Sequence, residues 1–335
     1  MNKVAIAILN FNGENYLRKF LPSVISKSTG HEVIVIDNAS SDYSRELLKT
    51  EFPTVRTIHL DQNLGFSGGY NEGIKQIDAE FVVLLNSDIE VTSNWLAPII
   101  AYMEHEPTIA ACQPKVLDYN KKSHFEYAGA SGGFIDFLGY PFCRGRLFQS
   151  LEEDKGQYND SRDVFWATGA CLIVRKEAYQ QVGGLEEDFF AHMEEIDLCW
   201  RFWNNGYRVS VCPEGVVYHV GGGTLAKAHP RKTYLNFRNG LSLLLKNESN
   251  YHLLWKIPLR FILDWIAALQ FSIESGPAHG LAILKSHLHF LIGARRMYSK
   301  RKKITPSRHI PTKYKGSIIW EYYINKKTRY ADLSS

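Results

Sequence analysis

The sequence is poor in cysteine, and the cysteines that it has are scattered. Its 335 residues include five, an odd number, with no C-x-x-C pair. This pattern argues against a disulfide framework and against a zinc site, and it favours reduced thiols in a cytoplasm. We therefore expect a purely structural role for all five, which are Cys112, Cys143, Cys171, Cys199 and Cys212.

Two kinds of hydrophobic segment are also missing. The apolar run Val4–Leu9 leads directly into Asn10, without the basic segment, long apolar segment and cleavage site of a secretory signal. No stretch reaches about 18 uninterrupted apolar residues, because Lys256, Arg260 and Asp264 interrupt the most hydrophobic region. We therefore predict a cytoplasmic protein without a membrane-spanning helix.

Acidic residues are absent from one long segment. The formal net charge is only +4, yet no Asp or Glu occurs between Lys285 and Lys315, where Lys and Arg recur. A local excess of this kind indicates an anionic partner. Nucleic acid is the weakest candidate, because the aromatic residues of this segment do not form an interleaved stacking pattern, and we predict no nucleic-acid partner.

Short apolar runs alternate with helical patterns in the first third of the chain. The resulting βαβαβαβ order predicts an α/β fold with a mainly parallel sheet, helices on both faces, and ligands at the carboxyl ends of the strands. The predicted strands are Val4–Leu9, Val33–Ile36, Val55–Leu60 and Phe81–Leu85. Later, we predict strands at Ala167–Val174 and Arg208–Cys212 and a helix at Glu194–Asn204, whereas residues 125–165 show only irregular strands and loops.

The character of the chain changes after residue 250. Lys256, Arg260 and Asp264 recur every four residues and leave an apolar surface formed by Leu254, Ile257, Phe261, Ile262, Trp265 and Leu269. A second helical segment, Leu281–Phe290, leads into the basic run Lys300–Lys303. We predict a catalytic domain over residues 1–250 and an amphipathic, basic helical region over residues 251–335. That region suits a membrane surface of anionic lipid. The alternative is packing against the catalytic domain or a second subunit, which would also bury its apolar face.

The turn after the first strand lacks the common phosphate-binding patterns. Asn10-Phe11-Asn12-Gly13-Glu14 contains no G-x-G-x-x-G, and the chain contains no G-x-x-x-x-G-K-[ST]. A dinucleotide enzyme is therefore disfavoured and a P-loop is excluded. A phosphate-bearing ligand must be held in another way.

Polar residues follow the predicted strands where such ligands would bind. Asp88, with Asn86 two residues earlier, is placed to ligate a divalent cation that bridges a diphosphate, or to form a strand-end turn. Asp37 and Asn38 are placed to hydrogen-bond a nucleobase or ribose, or to cap the next helix. The glycine-rich stretch 65–69 after Asn63 permits close backbone approach to a ligand, or a tight loop.

Two further groups carry candidate chemistry. Glu194, Glu195 and Asp197 lie in the first turn of a predicted helix, where the helix dipole would keep a catalytic base ionised, or they decorate a helix start. His219 follows an apolar run and precedes a glycine-rich loop, which fits either a metal ligand or a core histidine.

Taken together, these pieces resemble the inverting family 2 glycosyltransferases of the GT-A fold, especially the bacterial rhamnosyltransferase-like branch. The resemblance spans about Lys3 to Lys246 and rests on motifs in family order. They are Ile8-Leu9-Asn10-Phe11-Asn12, Val35-Ile36-Asp37-Asn38-Ala39-Ser40, Asn63-Leu64-Gly65-Phe66-Ser67-Gly68-Gly69, Leu84-Leu85-Asn86-Ser87-Asp88, Ala167-Thr168-Gly169-Ala170, Glu194-Glu195-Ile196-Asp197-Leu198-Cys199-Trp200-Arg201 and Tyr218-His219-Val220-Gly221-Gly222.

The resemblance implies roles for residues of this chain. Glu195 would be the catalytic base, and Asp88 and His219 would hold a divalent cation, Mn²⁺ or Mg²⁺, with the diphosphate. Binding of the nucleotide and donor sugar would involve Asn10, Asn12, Asp37, Asn38, Asn63, Gly68, Asn86, Gly169, Ala170 and Arg238. For Arg238, the alternative is a solvated charge on a helix.

The chain departs from the family pattern at two of these positions. The metal motif of many relatives begins with Asp, whereas this chain has Asn86, so the cation would have one carboxylate fewer. The base is commonly Asp but is Glu195 here, one methylene longer, and Glu194 remains a rival.

The implied reaction is inverting transfer of a sugar from a nucleoside-diphosphate sugar to a hydroxyl of a glycan or lipid-linked acceptor in cell-surface polysaccharide synthesis. The branch favours a deoxysugar such as rhamnose, and the expected location is the inner face of the cytoplasmic membrane. Two other classes remain open: a nucleotidyltransferase, which would need a Gly-rich, basic loop that Asn10–Glu14 lacks, and a non-catalytic sugar-nucleotide-binding protein, which would not need Glu195.

Overall fold

The central sheet begins with four parallel strands, in a computed structural model that describes residues 2–221, 229–301, 307 and 309–333. The strands are β1 (Asn2–Asn10), β2 (Glu32–Asp37), β3 (Arg56–His59) and β4 (Ala79–Asn86), in the spatial order β4-β1-β2-β3. Helices α1 (Glu14–Lys27), α2 (Ser44–Glu51) and α3 (Gly65–Lys75) connect them. The predicted βαβαβαβ order is confirmed.

Alternate residues of these strands fill two hydrophobic layers. On β1, Ala5 and Ala7 belong to one buried cluster, whereas Val4, Ile6 and Ile8 belong to the other. Successive side chains of a strand point to opposite faces, so a sheet that is covered on both sides needs apolar residues at nearly every position. The register places Asn10 beside Asp37, and Leu9 beside Asn86. The polar strand ends therefore meet at one edge of the sheet.

The middle of the chain adds strands to the central sheet and builds a small second sheet. β5 (Ile89–Val91), α4 (Ala97–His105) and β6 (Ile109–Asp118) come first. The irregular region then forms an antiparallel sheet of β7 (Gly133–Ile135), β8 (Pro141–Cys143), β9 (Arg146–Leu147) and β10 (Ser150–Leu151). Many of its residues are buried, although it lacks a long regular pattern in sequence.

Three further strands complete the central sheet. β11 (Arg162–Asp163) and β13 (Arg208–His219) lie at one side, and β12 (Cys171–Arg175) lies antiparallel between β4 and β6. Helices α5 (Lys176–Gln181) and α6 (Glu194–Asn204) precede β13, and α6 has the predicted bounds. The predicted strand Ala167–Val174 is too long at its start, because residues 167 and 168 have no regular structure and residues 169 and 170 form a turn. The predicted strand Arg208–Cys212 is too short, because β13 continues to His219, paired with Ile89.

Three long helices follow, α7 (Pro230–Asn247), α8 (Asn250–Ser275) and α9 (Pro277–Arg301). The chain then returns to the small sheet, where Ile318 is fully buried and its N–H donates to Asp136 Oδ2 at 3.1 Å. A π-helical turn at Trp320–Ile324 and a 3₁₀ turn at Tyr330–Asp332 follow. Residues 302 and 303 of the predicted basic run lie outside the described residues. The division into domains at residue 250 stays a prediction.

Helix α8 turns its charged residues inward. Lys256 donates to Glu248 Oε2 at 2.5 Å, Arg260 donates to the Leu138 carbonyl at 2.9 Å, and Asp264 accepts from the Tyr140 hydroxyl at 3.0 Å. Four of the six predicted apolar surface residues are exposed, and the remaining two are half-buried. The exposed four are Leu254, Ile262, Trp265 and Leu269. Among the described residues, none of the helices has the length and apolar character needed to span a bilayer.

Candidate active site

The ends of β1 and β2 present buried acceptor atoms without partners. Asn10 Nδ2 donates to Ser40 Oγ at 3.1 Å, and Asp37 Oδ2 accepts from Arg45 Nε at 2.5 Å. Both side chains are fully buried, and in the part of the chain that the structure describes, Asn10 Oδ1 and Asp37 Oδ1 have no hydrogen-bond partner. Buried polar atoms are nearly always paired in folded proteins, so these two acceptors mark a place where a ligand can donate.

The neighbouring asparagines shape the loop that begins α3. Asn38 Nδ2 donates to Asn63 Oδ1 and to the Gly65 carbonyl, both at 3.0 Å, and Asn38 Oδ1 accepts from the Leu64 N–H at 3.0 Å. A Cβ at Gly68 would lie 2.8 Å from Leu64 Cβ, so the absence of a side chain there serves the turn. The nucleotide contacts predicted for Asn38, Asn63 and Gly68 stay predictions.

Asn12 has a similar local role. Its backbone adopts φ +52°, and its side-chain Oδ1 accepts from the Ser41 N–H at 2.7 Å. These bonds fix the first turn against the second, so that Asn10 and Asp37 keep their relative positions. A contact between Asn12 and a ligand stays a prediction.

Asp88 and His219 meet beyond the end of β4. His219 Nε2 lies 3.2 Å from Asp88 Oδ1, and His219 Nδ1 lies 3.4 Å from Glu126 Oε2. All three side chains are buried. Burial lowers the pKa of His219, but the hydrogen bonds and charges of Asp88 and Glu126 outweigh it and raise the pKa to about 10. Burial raises the pKa of Asp88, but His219 outweighs it, and the net shift is downward.

This pair can form part of a cation site only when His219 gives up its proton, because only neutral imidazole ligates a metal. Cis ligands of one octahedral cation, each at about 2.1 Å, lie about 3 Å apart, close to the 3.2 Å between Asp88 Oδ1 and His219 Nε2. No group of three or more His, Cys, Asp or Glu residues suited to a metal ion occurs within residues 2–221, 229–301, 307 and 309–333. A cation held by Asp88 and His219 would therefore need further ligands from a substrate and water.

The turn at Gly169 and Ala170 lies in space between the end of β4 and the start of α6. The Asn86 N–H donates to the Ala170 carbonyl at 2.9 Å. A Cβ built on Gly169 would lie 3.6 Å from Glu195 Cβ and 3.5 Å from Phe66 Cζ. Gly169 and Ala170 thus lie between the strand end that leads to Asp88 and the helix that carries Glu195.

The first turn of α6 carries two carboxyl groups, each with one buried oxygen that has no hydrogen-bond partner among the described residues. Glu194 is buried and Glu195 is half-buried, and neither Oε2 has a hydrogen-bond partner among the described residues. Burial raises the pKa of Glu195 to about 7, and it raises the pKa of Glu194 well above its ordinary value, with Glu195 adding to the effect. The nearby thiols of Cys143 and Cys199 have pKa values that burial raises. Carboxyl groups poised near neutral pH in this way suit proton transfer.

Asp197, the third carboxylate of this turn, stays ionised, and cationic and amide partners compensate its charge. It is fully buried and accepts from Arg201 Nε at 2.8 Å, Lys246 Nζ at 2.8 Å and Asn247 Nδ2 at 2.7 Å. Burial raises the pKa of Asp197, but Arg201 and Lys246 outweigh it and lower the pKa to about 2. The structure therefore separates Asp197, which anchors the helix, from Glu194 and Glu195.

Helix α7 supports the loop before α6. Arg238 donates to the carbonyls of Asp188 and Phe189 at 2.9 and 3.1 Å, so it contacts the protein itself rather than standing as a solvated charge. The fully buried Asn239 donates to the carbonyls of Phe189, Ala191 and His192 at 3.1, 3.0 and 2.7 Å. An Arg238 contact with the diphosphate stays a prediction.

Sequence reasoning missed Glu126 and the structural role of Asn239. Glu126 lies in the irregular middle region, where no repeating pattern indicates which residues approach His219. Asn239 follows Arg238 in a helix with no motif of its own, and its contacts are to backbone carbonyls, which leave no signature in sequence.

The parallel half-sheet, with unpartnered acceptors at its strand ends and a carboxyl pair beside them, is the arrangement of an α/β enzyme that binds its ligand at the carboxyl edge of the sheet. The chain belongs to glycosyl transferase family 2, whose profile matches residues 5–183. It is therefore a glycosyltransferase of the GT-A fold, as the sequence motifs predicted.

Two curated relatives are rhamnosyltransferases. The N-acetylglucosaminyl-diphospho-decaprenol L-rhamnosyltransferase of Mycobacterium tuberculosis is 24% identical over 330 residues, covering 91% of this chain and 98% of the relative. The dTDP-rhamnosyl transferase RfbF of Shigella flexneri is 25% identical over 230 residues, covering 64% of this chain and 71% of the relative. Among solved structures, a mannosyltransferase of Pyrobaculum calidifontis in complex with GDP-Man and Mn²⁺ shares the fold at TM-score 0.52 and 14% identity, covering 90% of this chain and 84% of that one.

Proposed function

We propose that this enzyme transfers a deoxyhexose from a nucleoside-diphosphate sugar to a hydroxyl of a lipid-linked glycan acceptor, with inversion at the anomeric carbon. The observation that carries the proposal is the Glu195 carboxyl, whose buried Oε2 has no hydrogen-bond partner among the described residues. It lies beside Gly169, and the carbonyl of the next residue, Ala170, accepts from the N–H of Asn86 at the end of β4.

Glu195 is the base in this reaction. It accepts the proton of the acceptor hydroxyl as that oxygen attacks the anomeric carbon, and the bond from that carbon to the diphosphate breaks on the opposite face. Glu194 is the weaker candidate, because its side chain is buried whereas that of Glu195 is only half-buried and more open to an acceptor hydroxyl.

Asp88 and His219 are the residues that would hold a divalent cation. When bound, the cation neutralises the charge that develops on the departing diphosphate. The Mn²⁺ in the structure of the mannosyltransferase supports this assignment. Glu126 faces the other nitrogen of His219 and would fix the orientation of its ring.

The relatives favour particular substrates. Both transfer rhamnose by name, one from a dTDP donor and the other to a decaprenol-linked sugar. The decaprenol enzyme matches this chain over nearly its whole length, so we assign a dTDP-deoxyhexose donor and a polyprenyl-diphosphate-linked acceptor.

Such an acceptor requires access to a membrane, and the helical hairpin α8–α9 offers a matching surface. Before Glu274, all three Lys, Arg and Asp residues of α8 are buried, whereas Trp265, Ile266 and Leu269 are 54%, 61% and 66% exposed. On α9, the exposed apolar residues are Leu281, Leu284, Leu288, Leu291 and Ile292.

The occupant of this surface is an anionic bilayer. Exposed Lys285 and Arg295 lie on the same helix as the apolar residues, and basic residues close to anionic lipid contribute about 1 kcal/mol each. In a symmetric dimer the same patch would face itself and bring these like charges together. The enzyme therefore works as a peripheral protein on the inner face of the cytoplasmic membrane.

Vesicle binding tests this surface. The protein should sediment with vesicles of phosphatidylglycerol and phosphatidylcholine but not with phosphatidylcholine alone, and Ile266→Glu should abolish sedimentation without altering thermal unfolding. A wild-type protein that ignores both vesicles and elutes as a dimer, with Ile266→Glu monomeric, would assign the surface to a second copy instead.

A donor panel tests the transfer. The enzyme should release nucleoside diphosphate from dTDP-rhamnose in the presence of Mn²⁺ or Mg²⁺ and a polyprenyl-diphosphate-linked N-acetylglucosamine acceptor. UDP-, GDP- and CMP-sugars serve as the comparison. Release from a different donor would overturn the assignment of the sugar, and nucleotide binding without release from any donor would favour a non-catalytic binding protein.

A further inference from the structure

The last turns of α9 contact residues 186–188, in the segment that leads into α6. Lys300 Nζ hydrogen-bonds Glu186 and lies 2.8 Å from Asp188 Oδ2. Arg296, one turn earlier, lies 2.5 Å from Asp188 Oδ1. Glu186 caps the 3₁₀ turn Glu187–Phe189, and residues 190–193 connect this turn to the start of α6.

This segment is strained, so it depends on such contacts. Phe190, His192 and Met193 have φ of +65°, +69° and +71°, and none of them is glycine. Residues other than glycine adopt this region at an energetic cost and persist there only where their surroundings hold them. Met193 directly precedes α6, so the strain ends at the residue before Glu194 and Glu195.

A chain of buried ion pairs connects α9 to α6. Glu186, which Lys300 holds, also accepts from Lys246 Nζ at 2.7 Å, and Lys246 in turn lies 2.8 Å from Asp197 Oδ2. Glu186 and Lys246 are each only 6% exposed at the side chain, and Asp197 is fully buried. Asp197 lies on α6, two residues after Glu195.

Of the two basic residues of α9 that contact this segment, Lys300 makes the stronger ion pairs. Its side chain is 32% exposed against 72% for Arg296, and it contacts both carboxylates. Ion pairs in water contribute little because solvent screens them, whereas charged hydrogen bonds to buried groups are stronger.

We propose that Lys300 is a positioning residue for transfer: by holding Glu186 and Asp188 it fixes residues 187–193 and, through them, the catalytic carboxylate at Glu195. The inference rests on the proposed function for the identity of the base. It makes the C-terminal helices part of the catalytic apparatus as well as a membrane anchor, because the exposed residues Leu288, Leu291 and Ile292 lie on the same helix as Lys300.

Two measurements on the full-length chain test the proposal. Lys300→Ala should lower kcat at least about tenfold while the KM for the donor changes little, since misplacement of a reacting group acts on the chemical step. In the same variant, the acid limb of the kcat–pH profile should move to lower pH as Glu195 gains access to water. Lys300→Arg should restore both kcat and the position of the acid limb. Amide hydrogen exchange over residues 187–195 should be faster in Lys300→Ala than in the wild type.

The matched control is Lys155→Ala, which removes a lysine from an exposed pair with Glu153 and should change neither measurement. Unchanged kcat, pH profile and exchange in Lys300→Ala would overturn the proposal. If the wild-type enzyme transfers no sugar, the proposed function fails, and hydrogen exchange still decides whether Lys300 holds the segment.

Discussion

Replacing Glu195 by Gln should make the protein more stable at alkaline pH. The Glu195 carboxyl has a pKa of about 7 in the folded protein, against 4.5 ordinarily, because burial disfavours its charged form. An acid whose folded pKa is raised favours folding while it is protonated, and this advantage is lost as the pH rises from the unfolded value through the folded one. A difference between 4.5 and about 7 corresponds to about 3 kcal/mol of destabilisation once the group is ionised. Gln keeps the shape of the neutral carboxyl and removes this cost.

Denaturant unfolding of both proteins at pH 5 and pH 8 measures the effect. Glu195→Gln should be more stable than wild type at pH 8, and the gap should be smaller by about 2 kcal/mol at pH 5, where the wild-type carboxyl is protonated in the fold. Glu46→Gln, an exposed glutamate on α2, should show no such gap at either pH. A Glu195→Gln variant whose stability relative to wild type is the same at both pH values would refute the reasoning that burial poises this carboxyl.

Three further substitutions test other parts of the site. Gly169→Ala should leave thermal unfolding unchanged but lower transfer, because the new methyl group meets Glu195 at ordinary contact distance. Gly133→Ala, in contrast, should destabilise the fold, because its methyl group would lie 2.0 Å from the Trp166 ring. Equal loss of stability in the two variants would contradict this prediction. His219→Ala should lower transfer and raise the Mn²⁺ concentration needed for half-maximal activity, and an unaltered Mn²⁺ titration would remove His219 from the cation site. Asn239→Ala should cost about 1–3 kcal/mol in denaturant unfolding, because it leaves buried carbonyls of the loop without a donor, and a neutral effect would mean that water replaces the side chain.

The parts of the fold that were predictable are those with a local pattern. Strands β1, β2 and β4 are short runs of buried apolar residues, and α6 begins at an acidic first turn and ends before Gly206, so its bounds follow from its own residues. The edge of the sheet where Asn10 and Asp37 meet also follows, because parallel strands align their carboxyl ends.

Contacts between distant segments were not predictable in this way. The approach of Glu126 to His219 depends on how the irregular region folds back onto β13. Two of the partners that separate Asp197 from Glu194 and Glu195, Lys246 and Asn247, come from α7, about 50 residues later. Spacing within α6 already pairs Asp197 with Arg201, four residues later, but the further partners that hold Asp197 ionised come only from tertiary structure.

Helix α8 shows a related limit. A repeat of four separates its charged face from its apolar face, but the repeat does not state which face turns inward. Burial of the apolar face is the usual outcome, and here the reverse occurs because Lys256, Arg260 and Asp264 each find a partner in the body of the protein.

The role of Glu195 as the base is tested most directly by comparing sugar transfer and donor binding in Glu195→Gln, Glu194→Gln and the wild type. Loss of a general base lowers the rate by about 10²–10⁴-fold. We expect a loss of that size in Glu195→Gln with the Kd for the donor unchanged, and a much smaller loss in Glu194→Gln. Wild-type transfer by Glu195→Gln, or a larger loss in Glu194→Gln, would contradict the assignment of Glu195 as the base.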